Sequence, residues 1–179
     1  MMRHSLVKIV FVVLCFALPV RPRTDLVEAN SRKSVPDFSL ADSKGTTIKL
    51  SNYRGRVVLL DFWATWCEGC KVEIPWYMEF QKKYKDSGLS VVGVSLDDDG
   101  WKSVKPFLEA KQVNYPVVIG DWDLAGRFGM TALPATLLID RNGRVADLHV
   151  GMVDKDAFDR EIQTLLKESA AKEPAKRDD

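Results

Sequence analysis

One junction constrains the fold more than any other part of this 179-residue chain. VVLLDFW (57–63) is a run of apolar and aromatic residues broken only by Asp61, and it leads through ATW directly into CEGC (67–70). A run of that length and character belongs in a strand covered on both faces. Beyond it, Cys70, Ile74, Tyr77, Met78 and Tyr84 recur at the spacing of three and four that lets a helix bury one stripe. The junction is therefore a buried strand turning within a few residues into a helix. Cys67 falls at the turn and Cys70 lies one helical turn further in.

The rest of the chain repeats the alternation. LSVVGVSL (89–96), PVVIG (116–120) and PATLLID (134–140) read as further strands, and Asn142-Gly143 suits a tight turn into RVADLHV (144–150). Helices are expected over 102–111, carrying Val104, Phe107 and Leu108, over 124–128, and after the N-cap Asp154, with Phe158, Ile162, Leu165 and Leu166 on one face. An early hairpin, DFSL paired with TIKL, is expected to extend the sheet. Strand–helix–strand units followed by a hairpin and a closing helix define an α/β fold with a mixed central sheet and helices on both faces. A composition 46% hydrophobic is enough for one such core. The 26 basic and 25 acidic residues form no large block of one sign, which argues against a nucleic-acid partner.

The two ends read differently from the middle. Arg3 and Lys8 lead into IVFVVLCFAL (9–18), and the apolar stretch to Val20 would rise about 18 Å as a helix, short of the ~30 Å hydrocarbon core. Residues 1–20 are thus expected to be an export signal, either cleaved or kept as an N-terminal membrane anchor. Residues 21–33 read as a polar linker, 34–168 as the domain and 169–179 as a charged, disordered tail. Removal of the signal takes Cys15 with it. The domain then holds only Cys67 and Cys70, in a compartment where disulfides persist.

Three chemistries are open to that pair. A structural zinc needs four ligands, and beyond the leader only His149 could join the cysteines. A structural disulfide closing so small a loop removes little entropy from the unfolded chain. A reactive dithiol fits the position best. At a helix N-terminus the free N–H groups and the dipole favour a thiolate at Cys67. Cys70, on the buried stripe, is placed to resolve a mixed disulfide.

VVLLDFWATWCEGCKVEIP, together with VPDFSL before the first strand and LPATLLIDRNGRV near the end, resembles the active-site framework of the exported TlpA/ResA-like thiol–disulfide oxidoreductases, which include the cytochrome c maturation thioredoxins. The likeness spans residues 34–167. It implies a thioredoxin fold with an N-terminal β-hairpin and a central strand–helix insertion over SLDDDGWKSVKPFLEAKQ. It also implies that Pro134, after Leu133, is a cis-proline facing the cysteines, whose neighbour's backbone pairs with substrate as a short added strand. Trp66 is expected to touch substrate, and Trp63 to shield the dithiol. Asp61, six residues before Cys67, matches the buried aspartate of ordinary thioredoxins, where many TlpA-like relatives carry asparagine. Desolvation would make it a proton acceptor for Cys70; an aspartate turned to solvent is the alternative. Glu73 matches the family's active-site glutamate, against a plain solvated glutamate early in a helix. Gly69 departs from the family's usual proline.

These expectations converge on an exported thiol–disulfide oxidoreductase that needs no bound cofactor and reduces protein disulfides, apocytochrome c foremost by resemblance. Its electrons would come from another dithiol protein, membrane-embedded or not. Glu68 beside the nucleophile opposes thiolate formation and favours a reductant. Two rivals share the fold. A peroxiredoxin places its cysteine in P-x-x-x-T-x-x-C, whereas Thr65 is only two residues before Cys67. A Sco-like copper carrier wants C-x-x-x-C and a distant histidine, and the spacing here is one residue short.

Overall fold

The computed structural model describes residues 26–169; the expected signal or anchor with Cys15, and all but the first residue of the expected tail, lie outside the described residues. The central sheet has the order β5-β4-β3-β6-β7. Strands β3 (Val57–Trp63), β4 (Leu89–Ser95) and β5 (Val117–Ile119) run parallel, while β6 (Ala135–Ile139) pairs antiparallel with β3 and β7 (Val145–Val150) antiparallel with β6. All seven residues of β3 are buried, as the unbroken apolar run requires of a central strand.

The alternation of β3 divides the core into two layers. Val57, Leu59 and Trp63 point to one face, where Cys70, Ile74, Tyr77 and Phe80 of α1 (Glu68–Tyr84) and Phe158, Ile162 and Leu165 of α4 (Lys155–Lys167) pack. Val104 of α2 (Trp101–Lys111) joins the same layer. Val58, Leu60 and Phe62 point to the other face, against Leu124 and Ala125 of α3 (Trp122–Arg127), Phe128 and Phe38. Each large apolar side chain buried this way contributes about 1.5–3 kcal/mol relative to exposure. Among the described residues, no helix is long and apolar enough to cross a membrane.

One expectation needs correction. The early hairpin forms, but β1 (Ser39–Ala41) and β2 (Thr47–Lys49) make a separate two-stranded sheet. It is bridged to the main sheet at Asp42 and Val118, and Ile48 and Leu40 pack in the same core layer as Val58 and Val118. Residues before 34 also pack on the sheet. Val27 donates to the Ala146 carbonyl, and Arg32, 8% exposed, is clamped between Asp140 (3.3 Å) and Glu168 (2.5 Å). An arginine in a polar stretch carries no sign of that burial until its two acidic partners are placed around it. The turn at Asn142-Gly143 forms as expected: Gly143 takes φ 71°, and the Asp140 carboxylate accepts from the Asn142 and Arg144 amides.

Candidate active site

Cys67 caps α1. Its sulfur accepts from the Cys70 amide at 3.2 Å, so the dithiol sits where the helix leaves its first N–H groups unpaired. The two sulfurs are joined as a disulfide. Cys67 is 7% exposed and Cys70 1%, so the accessible sulfur is the N-terminal one, through a narrow opening rather than a broad surface.

The turn that presents Cys67 is tied down from behind. The Thr65 amide and hydroxyl both donate to the Asp97 carboxylate, which also accepts from Ser95 Oγ at 2.8 Å. Asp97, 5% exposed, was not legible as a site residue. It is the first of three aspartates after β4, and only the fold distinguishes it from Asp98 and Asp99. On the open side, the Leu133–Pro134 bond is cis, and the proline ring stands over the motif. A Cβ placed on Gly69 would lie 3.2 Å from Pro134 Cδ and 3.2 Å from Met152 Cγ. Glycine thus lets the CEGC turn sit close under that ring. Around this opening Trp66 is 58% exposed and Met152 51%, an apolar rim on which a polypeptide can lie. Trp63, by contrast, is 1% exposed and belongs to the core beside both cysteines.

Beneath the disulfide lie two carboxylates. Asp61 is 1% exposed and neither of its oxygens has a hydrogen-bond partner among the described residues. Burial, reinforced by the nearby charge of Glu73, pushes its pKa well above the usual carboxylate range. Glu73 is fully buried. Its Oε1 accepts from the Val153 amide at 2.7 Å, and its Oε2 has no close partner. Burial raises its pKa too, opposed by the Val153 amide, the Tyr77 hydroxyl and His149. Neither carboxylate reaches the surface, so neither side chain lies solvated on an outer face.

Glu68 is placed differently from the expectation. Its side chain is 84% exposed and paired with Lys71 Nζ at 2.7 Å, so its charge is partly neutralised and screened. The groups whose protonation is perturbed by this site are instead the buried pair, Asp61 and Glu73.

A redox-active C-x-x-C at the mouth of a thioredoxin fold, with a cis-proline facing it, defines a thiol–disulfide oxidoreductase. Comparison with known proteins agrees. The profile of the AhpC/TSA family matches residues 32–148. The thiol-disulfide oxidoreductase ResA of Geobacillus kaustophilus is 30% identical over 165 residues, 92% of this chain and 94% of that protein. The thioredoxin-like protein YneN of Bacillus subtilis is 32% identical over 132 residues, 73% of this chain and 77% of its own. A Chlorobium tepidum crystal structure assigned as a thiol:disulfide interchange protein DsbE superposes with a TM-score of 0.71 at 37% identity, over 75% of this chain and 96% of that one. The chain belongs to the AhpC/TSA family and groups within it with the ResA-type thiol–disulfide oxidoreductases.

Proposed function

We propose that this oxidoreductase works outside the cytoplasm as a reductant of protein disulfides, with apocytochrome c the leading substrate and a second dithiol protein, at or in the membrane, as its electron donor. The apolar leader supports export. The observation that carries the reading is the buried, unpartnered Asp61 carboxylate in the same core layer as a resolving cysteine at the helix N-terminus.

In the reduced protein the Cys67 thiolate attacks one sulfur of a target disulfide. A Cys67–target bond forms, the target S–S bond breaks, and the other target sulfur leaves as a thiolate. Cys70 then gives its proton to Asp61 and attacks Cys67 Sγ. The Cys67–Cys70 disulfide forms, and the second target sulfur leaves with the electron pair. Two electrons have passed to the target, and the donor dithiol restores the protein by the reverse exchange. Trp66, Leu133 and the Pro134 ring flank the opening where the target would lie. A cofactor has no part in these steps. The cysteine lies outside a peroxiredoxin signature, and its partner is three residues away, which suits exchange between disulfides.

The direction of flow is testable. The stretch from Thr65 to Gly69 carries no Lys, Arg or His, and Lys71 in the following turn is paired with Glu68, so thiolate stabilisation is ascribed to the helix terminus. Equilibration with glutathione buffers should give a potential nearer the thioredoxin value of about −270 mV than the DsbA value of about −120 mV. A value above about −180 mV would reverse the reading and make the protein an oxidant. Glu68→His should raise the potential, though only slightly, because the charge it replaces is exposed and already paired.

A further inference from the structure

The registers of the sheet line up one polar rung beneath the dithiol. Asp61 on β3 pairs with Thr136 on β6, and Thr136 pairs with His149 on β7. Directly paired residues point to the same face, with Cβ atoms about 4.5–5.5 Å apart. Over this rung lies α1, where Glu73 and Tyr77 are four apart and so neighbours on one side of the helix. The Tyr77 hydroxyl is hydrogen-bonded to Thr136 Oγ1 at 2.9 Å and lies near enough to Glu73 to favour its carboxylate. The rung runs from a residue 1% exposed at Asp61 to a half-buried histidine at the edge strand.

The opposite direction is closed. Beyond Asp61 the rung continues to Gly93 on β4, and a Cβ there would meet Val117 Cγ2 at 3.0 Å, Trp63 Nε1 at 3.1 Å and Tyr115 Cε2 at 3.3 Å. The titratable groups acting on Asp61 are Glu73 and Tyr77 from α1 and Tyr115 from the segment before β5; α4 presents Phe158, Ile162 and Leu165 to this layer. Four buried polar atoms lack partners in the described residues: both Asp61 oxygens, Glu73 Oε2 and Trp63 Nε1. Leaving such atoms unpaired is costly, so their presence on Asp61, Glu73 and Trp63 suits a site kept for proton chemistry rather than for stability.

We propose that the rung Asp61–Thr136–His149, with Tyr77 and Glu73 above it, is the exit by which the proton taken from Cys70 reaches solvent. Asp61 receives the proton as Cys70 attacks. The proton then passes along the Thr136 and Tyr77 hydroxyls, each of which can accept one hydrogen while donating another, to Glu73 and His149. One water or one side-chain rotation closes the gap between Asp61 and the hydroxyl pair. His149 is the terminus. One ring nitrogen, Nε2, is 3.1 Å from the Met152 carbonyl, which can only accept, so the other nitrogen is left to take and release the travelling proton. Discharge through His149 returns Asp61 to its ionised form for the next turnover.

This inference rests on the reading of Asp61 as the acceptor, and the test separates the two. The reduced protein is mixed with an excess of an aromatic disulfide whose nitrobenzoate thiols stay ionised near neutral pH, so that every proton lost reaches the bulk. Disulfide closure is followed by tryptophan fluorescence and proton release by an indicator dye. In the wild type the two should coincide. In His149→Ala and Tyr77→Phe release should lag closure by roughly tenfold, and added imidazole should remove the lag in His149→Ala alone, since only that variant opens the outer end. Release in step with closure in both variants, or a lag in His149→Ala that imidazole leaves untouched, overturns the exit path. Asp61→Asn reports on the other question: if closure itself is unchanged, Asp61 is not the acceptor, whatever the histidine variants show.

Discussion

Cys67→Ser should lower disulfide reduction to the uncatalysed background, whereas Cys70→Ser should keep the first attack and stall after it. The asymmetry follows from position. Cys67 caps the helix and is the more accessible sulfur, so it meets the target and is stabilised as a thiolate by the helix terminus. Cys70 is 1% exposed and faces the core, bonded to Cys67, so an incoming target does not reach it. In Cys70→Ser the mixed disulfide therefore accumulates, and mass spectrometry of the trapped adduct would identify the substrate. Limiting alkylation of the reduced wild type should modify Cys67 well before Cys70. Equal labelling, or an adduct on Cys70, would remove the basis for assigning the attack to the capping sulfur.

Asp61→Asn should do two opposite things. It should slow resolution of the mixed disulfide near neutral pH by about 10²-fold, the low end of what a positioned general base supplies. It should also make the protein more stable there. The folded pKa of Asp61 lies well above its unfolded value of about 3.9, because burial disfavours the charge and Glu73 adds repulsion. The folded state therefore holds this proton more tightly than the unfolded state does. The stability so gained is complete below the unfolded pKa and is lost as pH rises towards the folded value, by up to about 1.4 kcal/mol per pH unit. Asparagine cannot ionise, so the variant should escape that decline, apart from the part owed to Glu73, whose pKa is raised as well. Denaturant midpoints at several pH values should show the wild-type and variant curves parting above about pH 4. Curves that stay parallel, with unchanged single-turnover rates, would mean that Asp61 is neither desolvated nor catalytic.

The sequence carried the parts of this site that depend on neighbours along the chain. Cys67 at the strand-to-helix turn, Cys70 on the buried stripe, and Asp61 inside an apolar run could all be placed by periodicity. The resemblance to a known framework added Pro134, whose bond is cis. What could not be read depends on register between distant strands. Thr136 and His149 come under α1 only because β6 pairs with β3, and β7 with β6, in one alignment, and a shift of one residue in either strand would turn its side chain to the other face. Asp97 is hidden for a similar reason, since its ties to Thr65 join segments 32 residues apart. Glu68 shows the reverse failure. Its place beside the nucleophile was plain, but its pairing with Lys71 and its exposure depend on side-chain directions that spacing alone leaves open.

The clamp on Arg32 also decides which way the dithiol looks. Arg32 stands near the start of the described chain and pairs both with Asp140, just past β6, and with Glu168 near the chain's end. Pro134 lies just before β6, so the strand separates clamp and dithiol by its length, roughly 17–20 Å at about 3.3–3.4 Å per residue. Both ends of the domain are thus pinned at one pole and the reactive sulfurs open at the other. A leash attached at either end, lipid-bound or otherwise, would pull from behind and leave the disulfide facing outward, free to sweep for partners within the leash's reach.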